Sequence, residues 1–146
     1  MKKSQSIETK YFKEADLLAP ASRFARRRGF CLQQVELPFY EYRIDLYGFC
    51  DNRDSTVAIE LKLKNWRRAF VQALLYQLCA DLVYIAMPKR AALKVDQSLL
   101  ACEGIGLLSI SDSGVCSCVL SARVHGQVRQ PYKLSQINYL KGTTCE

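Results

Sequence analysis

"VAIELKLKNW", Val57 to Trp66, alternates between the two faces of an extended chain, and its reading decides the fold. Successive side chains of a strand point to opposite sides, so Ile59, Leu61 and Leu63 form one face while Ala58, Glu60, Lys62 and Lys64 form the other. The first set belongs in a core. The second puts three charges on an element that otherwise reads as buried, where each must be solvated, paired or used.

Upstream, residues 42–49 read as a second strand, with Arg43, Asp45 and Tyr47 on one side and Ile44 and Leu46 on the other. The turn signal "CDNRDS", Cys50 to Ser55, joins it to a strand over residues 57–63, so the two form an antiparallel hairpin. A further strand is predicted over residues 31–37. Before it, residues 13–28 have helical spacing, with Leu17, Leu18, Phe24 and Ala25 as the apolar stripe, Pro20 as a local irregularity and Gly29 as the stop.

Downstream, residues 66–79 are helical in period, with Phe70, Val71, Leu74, Leu75 and Leu78 as the apolar side. "LVYIAMP", Leu82 to Pro88, is a continuous apolar run ended by proline, the texture of a strand buried in a parallel pair. Strand, helix and strand make a crossover unit, expected to be right-handed. A weaker helix over 90–102, a strand at "GLLSI", a turn at 112–114 and a strand over 115–124 follow; the basic tail from Gly126 shows no clear pattern. The expected class is α/β, with a mixed β-sheet flanked by helices in one domain spanning residues 1–146.

Composition narrows the function. The 146 residues are 49% hydrophobic and 24% charged, enough for one core and free of low-complexity tracts. Lys and Arg number 21 against 14 Asp and Glu, a net charge of +7 that favours an anionic partner, with nucleic acid first. The seven cysteines are an odd set without a C-x-x-C pair, and no signal peptide opens the chain, which fits reduced thiols in the cytoplasm. Cys116 and Cys118 share a strand face and read as small hydrophobes rather than zinc ligands. No apolar run approaches the ~20 residues a membrane helix needs. His125 is the sole histidine, against a Ser-His-Asp hydrolase, and no G-x-x-x-x-G-K-[S/T] supports ATP use.

The hairpin brings Asp45 toward Glu60. Two adjacent carboxylates repel unless a cation sits between them, and hard oxygen ligands with room for water and phosphate suit Mg²⁺, with Mn²⁺ as a substitute. Lys62, two residues along on the same face, can orient a water or stabilise charge on a phosphate.

Asp45 followed across a hairpin by Glu60-Leu61-Lys62 resembles the active-site signature of the PD-(D/E)XK nuclease superfamily, the restriction-endonuclease-like fold. The helix motif "QALLY", Gln72 to Tyr76, strengthens the likeness: its ends lie one turn apart on one face, with Arg68 a turn earlier. This Q-x-x-x-Y is similar to the motif after E-x-K in RecB-like and lambda-exonuclease-like branches. The resemblance covers about residues 13–88. It implies a Mg²⁺-dependent DNA phosphodiesterase in which Asp45, Glu60 and the backbone carbonyl of Leu61 hold the metal, Lys62 positions the attacking water, and Gln72 and Tyr76 support the site. Ile44 stands where the family name has proline. Some members add a carboxylate from the first helix, for which Glu14 is the candidate, with Glu8 or Asp16 behind it. The iron–sulfur cysteine pattern of some RecB-like members is absent, so no cluster is expected.

Lys64, Arg68, Arg26 and Arg27 are the expected phosphate contacts. A homodimer is compatible with the small size. The alternative is a nucleic-acid-binding module of the same fold that does not cut, and a solvated sheet face would also account for Glu60 and Lys62. No residue pattern favours a sugar or small-molecule enzyme.

Overall fold

The computed structural model describes Tyr11 and residues 13–142. Six strands form one open sheet in the order β1-β2-β3-β4-β5-β6. They are β1 (Leu32–Phe39), β2 (Tyr42–Cys50), β3 (Ser55–Leu61), β4 (Leu82–Pro88), β5 (Gly106–Ile110) and β6 (Cys116–Leu120). The central pairs β3–β4 and β4–β5 are parallel and the remaining pairs antiparallel, so the sheet is mixed, as the sequence indicated. Short turns can reverse a chain at the edges, but parallel neighbours require crossovers, which the helices supply.

One face carries α1 (Leu18–Arg27), reached through a 3-10 turn at Glu14–Leu17. Leu17, Ala21, Phe24 and Ala25 pack there against Leu46, Val57, Ile59 and Leu61. Pro20 lies in the first turn of α1, where an amide hydrogen has no intrahelical partner, so it does not disturb the helix. The other face carries α2 (Trp66–Tyr76), α3 (Lys89–Ala92), α4 (Gln97–Glu103) and α5 (Gln130–Leu140). The weak helix expected over 90–102 is two pieces, α3 and α4; Asp96 caps the second by accepting from the Leu99 amide at 3.3 Å.

The sheet-facing stripe of α2 is Trp66, Ala69, Ala73 and Tyr76, not the larger residues Phe70, Val71, Leu74, Leu75 and Leu78. Two alanines let the helix lie close to β3 and β4, while Val71 is exposed and the other bulky side chains are partly buried at the flanks. Size, not hydrophobicity alone, chose the face.

Two expectations for the strands also change. Strand β3 ends at Leu61; Lys62 to Asn65 are irregular, and Asn65 adopts a positive φ of 66° before α2 begins. Lys64 is therefore an exposed loop residue, not a member of a strand face. In β2, Leu46 packs toward α1 but Ile44 joins the α2-side core with Tyr47. Pairing with β3 stops at Leu46↔Ile59, and beyond that point the hairpin is free to twist.

A polar staple fastens α5. The buried Lys133 ammonium lies 2.9 Å from Asp81 Oδ2 and donates to the Asp54 carbonyl at 2.7 Å. Asp81 Oδ2 also accepts from the Thr56 amide and hydroxyl, both at 2.9 Å, which ties the helix to the starts of β3 and β4. Within the tail that showed no pattern, Gln130–Leu140 form this helix.

Candidate active site

Asp45 and Glu60 occupy the first register position beyond the last paired residues of β2 and β3, Leu46↔Ile59. The ladder opens there, and the Asp45 side chain fills the gap: its Oδ2 accepts from the Leu61 amide at 2.8 Å. The two carboxyl groups are within hydrogen-bonding reach of each other. Glu60 is only 4% exposed, and the Tyr76 hydroxyl lies 3.2 Å from its Oε1 and 3.3 Å from the Arg43 carbonyl. A helix side chain thus holds the strand carboxylate from behind.

Burial disfavours charge on both acids. Desolvation, then the neighbouring Asp45, pushes Glu60 from an ordinary 4.5 up to about 9, with Tyr76 and Lys62 working the other way. Desolvation likewise raises Asp45, opposed chiefly by the Leu61 amide. Both shifts favour a proton on the pair. Burial and the adjacent Glu60 also raise the Tyr76 phenol, so it remains a neutral donor.

Lys62 stays beside the pair although the strand has ended, because its amide donates to the Ala86 carbonyl at 3.0 Å and continues the alignment with β4. Its ammonium lies 3.8 Å from Glu14 Oε2, with the lysine side chain 17% exposed. Glu14 therefore reaches the site, but as the partner of Lys62. Asp16 is spent on its own turn, accepting from the Lys13 amide at 3.1 Å, and Glu8 lies outside the described residues. Among the described residues no three His, Cys, Asp or Glu side chains come together in a metal-binding group. Among the described residues the carboxylates brought together here are those of Asp45 and Glu60. That set fits Mg²⁺, which commonly takes one or two carboxylates and completes its shell with water and phosphate oxygens. Electrostatics bears on the same point: a divalent ion would relieve the repulsion between two buried carboxylates.

Gln72 lies one turn before Tyr76, on the flank of the buried face of α2 rather than clear of the packing. Its Oε1 is buried with no hydrogen-bond partner, an unusual cost for a folded chain. Arg68 and Lys64 are exposed near the start of α2, close in sequence to Lys62. Arg67, which the sequence reading passed over, places its guanidinium 4.6 Å from the Trp66 ring centre in the same turn. Arg26 and Arg27 are not gathered in. They are exposed at the far end of α1, roughly 15 Å along the helix from the turn that carries Glu14. Arg27 reaches the Cys116 carbonyl at 3.5 Å instead.

The raised pKa of Glu60 makes the stability of the fold depend on pH. A carboxyl whose pKa is higher in the folded than in the unfolded chain contributes stability that is fully present below its unfolded pKa and is lost as pH rises through the folded pKa. In EDTA, the melting temperature should fall from about pH 5 toward about pH 9, and Glu60→Gln should flatten that slope. Thermal denaturation across this range checks it; equal slopes for the two proteins would mean that Glu60 is ionised in the metal-free fold.

No family model matches the chain, and no curated protein matches it. Among solved structures it is similar to a protein of unknown function from Silicibacter pomeroyi, with 21% sequence identity and a TM-score of 0.65. The likeness covers 86% of this chain and 82% of that one. At such identity it shows a shared fold: an α/β domain with a mixed sheet between helical layers. No helix among the described residues is long and apolar enough to cross a membrane.

Proposed function

We propose that this domain is a Mg²⁺-dependent DNA phosphodiesterase of the PD-(D/E)XK type. The observation that carries the reading is the Asp45–Glu60 pair, two carboxyl groups in mutual contact at the open end of a β-ladder with Lys62 beside them. Buried like charges are costly, and a fold retains such a pair most economically where a cation neutralises it.

Asp45, Glu60 and the Leu61 carbonyl would hold the ion, which when bound supplies Lewis-acid polarisation of a phosphate oxygen and acidifies a water. Tyr76 fixes the Glu60 carboxylate through its hydroxyl, and the Leu61 amide fixes Asp45. Lys62, steadied by Glu14, offers its ammonium to the attacking water and to the charge that grows on phosphorus. Hydrolysis adds the water oxygen to phosphorus and breaks one ester bond of the backbone. Lys64, Arg67 and Arg68 at the β3–α2 connection provide contacts for flanking phosphates.

The test is incubation of purified protein with linear, circular and branched DNA in Mg²⁺, Mn²⁺ or EDTA. Metal-dependent cleavage of at least one substrate is expected. A protein that binds DNA yet leaves every substrate intact in either metal is a binding module instead.

A further inference from the structure

We propose that the aromatic cluster of Phe39, Tyr40 and Tyr132 is a stacking site for a nucleobase of a single-stranded DNA segment; this deepens the nuclease reading and rests on it. The cluster joins the β1–β2 turn to α5. Its three rings pack edge to face with centres 4.9 to 5.7 Å apart, and the Tyr40 and Tyr132 hydroxyls meet at 2.5 Å. The rings border a cavity of about 320 Å³ that Pro38, Ser135 and Gln136 complete. Polar groups at an otherwise aromatic cavity suit a flat ligand with hydrogen-bonding edges.

Backbone strain points the same way. Tyr40 begins the two-residue loop between Phe39 and Tyr42 with a φ of 53°, where a hairpin favours glycine. Its contacts with Phe39 and Tyr132 nevertheless leave it 62% exposed, so much of the ring remains open to solvent. Strain kept at an exposed side chain is a signature of use.

The occupant follows from charge and from continuity with the carboxylate site. The chain carries +7, and Arg43 projects from the same hairpin beside Glu36, their charged groups 4.0 Å apart and both side chains largely exposed. That hairpin is tied to the site, because the Arg43 carbonyl and Glu60 lie on either side of the Tyr76 hydroxyl. Five residues of extended chain separate Tyr40 from Asp45, at most about 17 Å. With bases about 3.4 Å apart, a strand held at the carboxylates reaches the rings within roughly five nucleotides. Paired bases hide their faces in the duplex, so such a platform selects unpaired ones; every base has a π-face, so it does so without regard to sequence.

Fluorescence anisotropy in EDTA tests this without cleavage, using labelled oligothymidylate and a duplex of the same length. Wild type should prefer the single strand. Tyr40→Gly should weaken that binding about tenfold and leave duplex binding unchanged, in a protein that still folds because glycine's relief of the turn offsets part of the lost ring contacts. Equal single-strand affinity in the two proteins, or a wild-type preference for duplex, overturns the stacking site. A change in sedimentation with no change in DNA affinity also overturns it, by making the cluster a contact between copies. Tyr40-dependent single-strand binding by a protein that never cuts retains this site and removes the nuclease reading; metal-dependent cleavage by a protein whose single-strand affinity is the same with and without the Tyr40 ring does the reverse.

Discussion

Glu60→Gln protein should bind DNA as wild type does and cleave it about a thousandfold more slowly, and Lys62→Ala should do the same. The two fail for different reasons. Glutamine keeps the size and the reach to Tyr76 but removes the charge that a divalent ion needs, whereas alanine leaves the carboxylate pair and removes the ammonium beside it. Neither change should unfold the domain. Glutamine relieves the repulsion with Asp45, and the partner that Lys62 leaves behind, Glu14, has a side chain 46% exposed and solvated by water. Cleavage rates beside circular dichroism melts make the comparison. Wild-type rates in either variant would remove that residue from the chemistry, and a collapsed melt would assign it to the fold.

The second large effect is on stability. Lys133→Ala should cost about 3 kcal/mol or more, because it strands Asp81 at a mostly buried position with two donors from Thr56 but no countercharge. For a chain of this length that lowers the melting temperature by roughly 10 °C. Adding Asp81→Asn to Lys133→Ala should recover part of the loss, since the neutral side chain no longer needs the ammonium. An unchanged melting temperature in Lys133→Ala would show that α5 is held by Ile137 and its neighbours alone.

Much of the sheet is legible because strand period and turn length together fix register. Asp45 and Glu60 meet because the segment between them is one short hairpin, and a slip of one residue would send Ile59 and Leu61 to the wrong face. Tyr76 was legible for a similar reason, as it follows Gln72 by one turn on a helix that must cross back over β3. The rest required tertiary contacts. Helix α5 buries Lys133 and Gln136 together with Ile137, so its inward face has no apolar stripe to read. Helix α2 was found but turned, because Ala69 and Ala73 are chosen for closeness to the sheet while Phe70 and Val71 look more hydrophobic. The partnership of Glu14 with Lys62 has no sequence signal at all; it comes from the path of the 3-10 turn over the end of β3. The end of β3 at Leu61 shows the same limit, since the alternation runs on to Lys64 after the pairing has stopped.

The central claim is that Asp45 and Glu60 together hold a divalent ion, and calorimetric titration of Mn²⁺ into the DNA-free protein tests it most directly. One ion should bind at about pH 8 with release of a proton from the pair, and binding should vanish in both Asp45→Asn and Glu60→Gln while persisting in Lys62→Ala. Undiminished binding in the two carboxylate variants, or none in wild type even with a non-cleavable DNA analogue present, would contradict it.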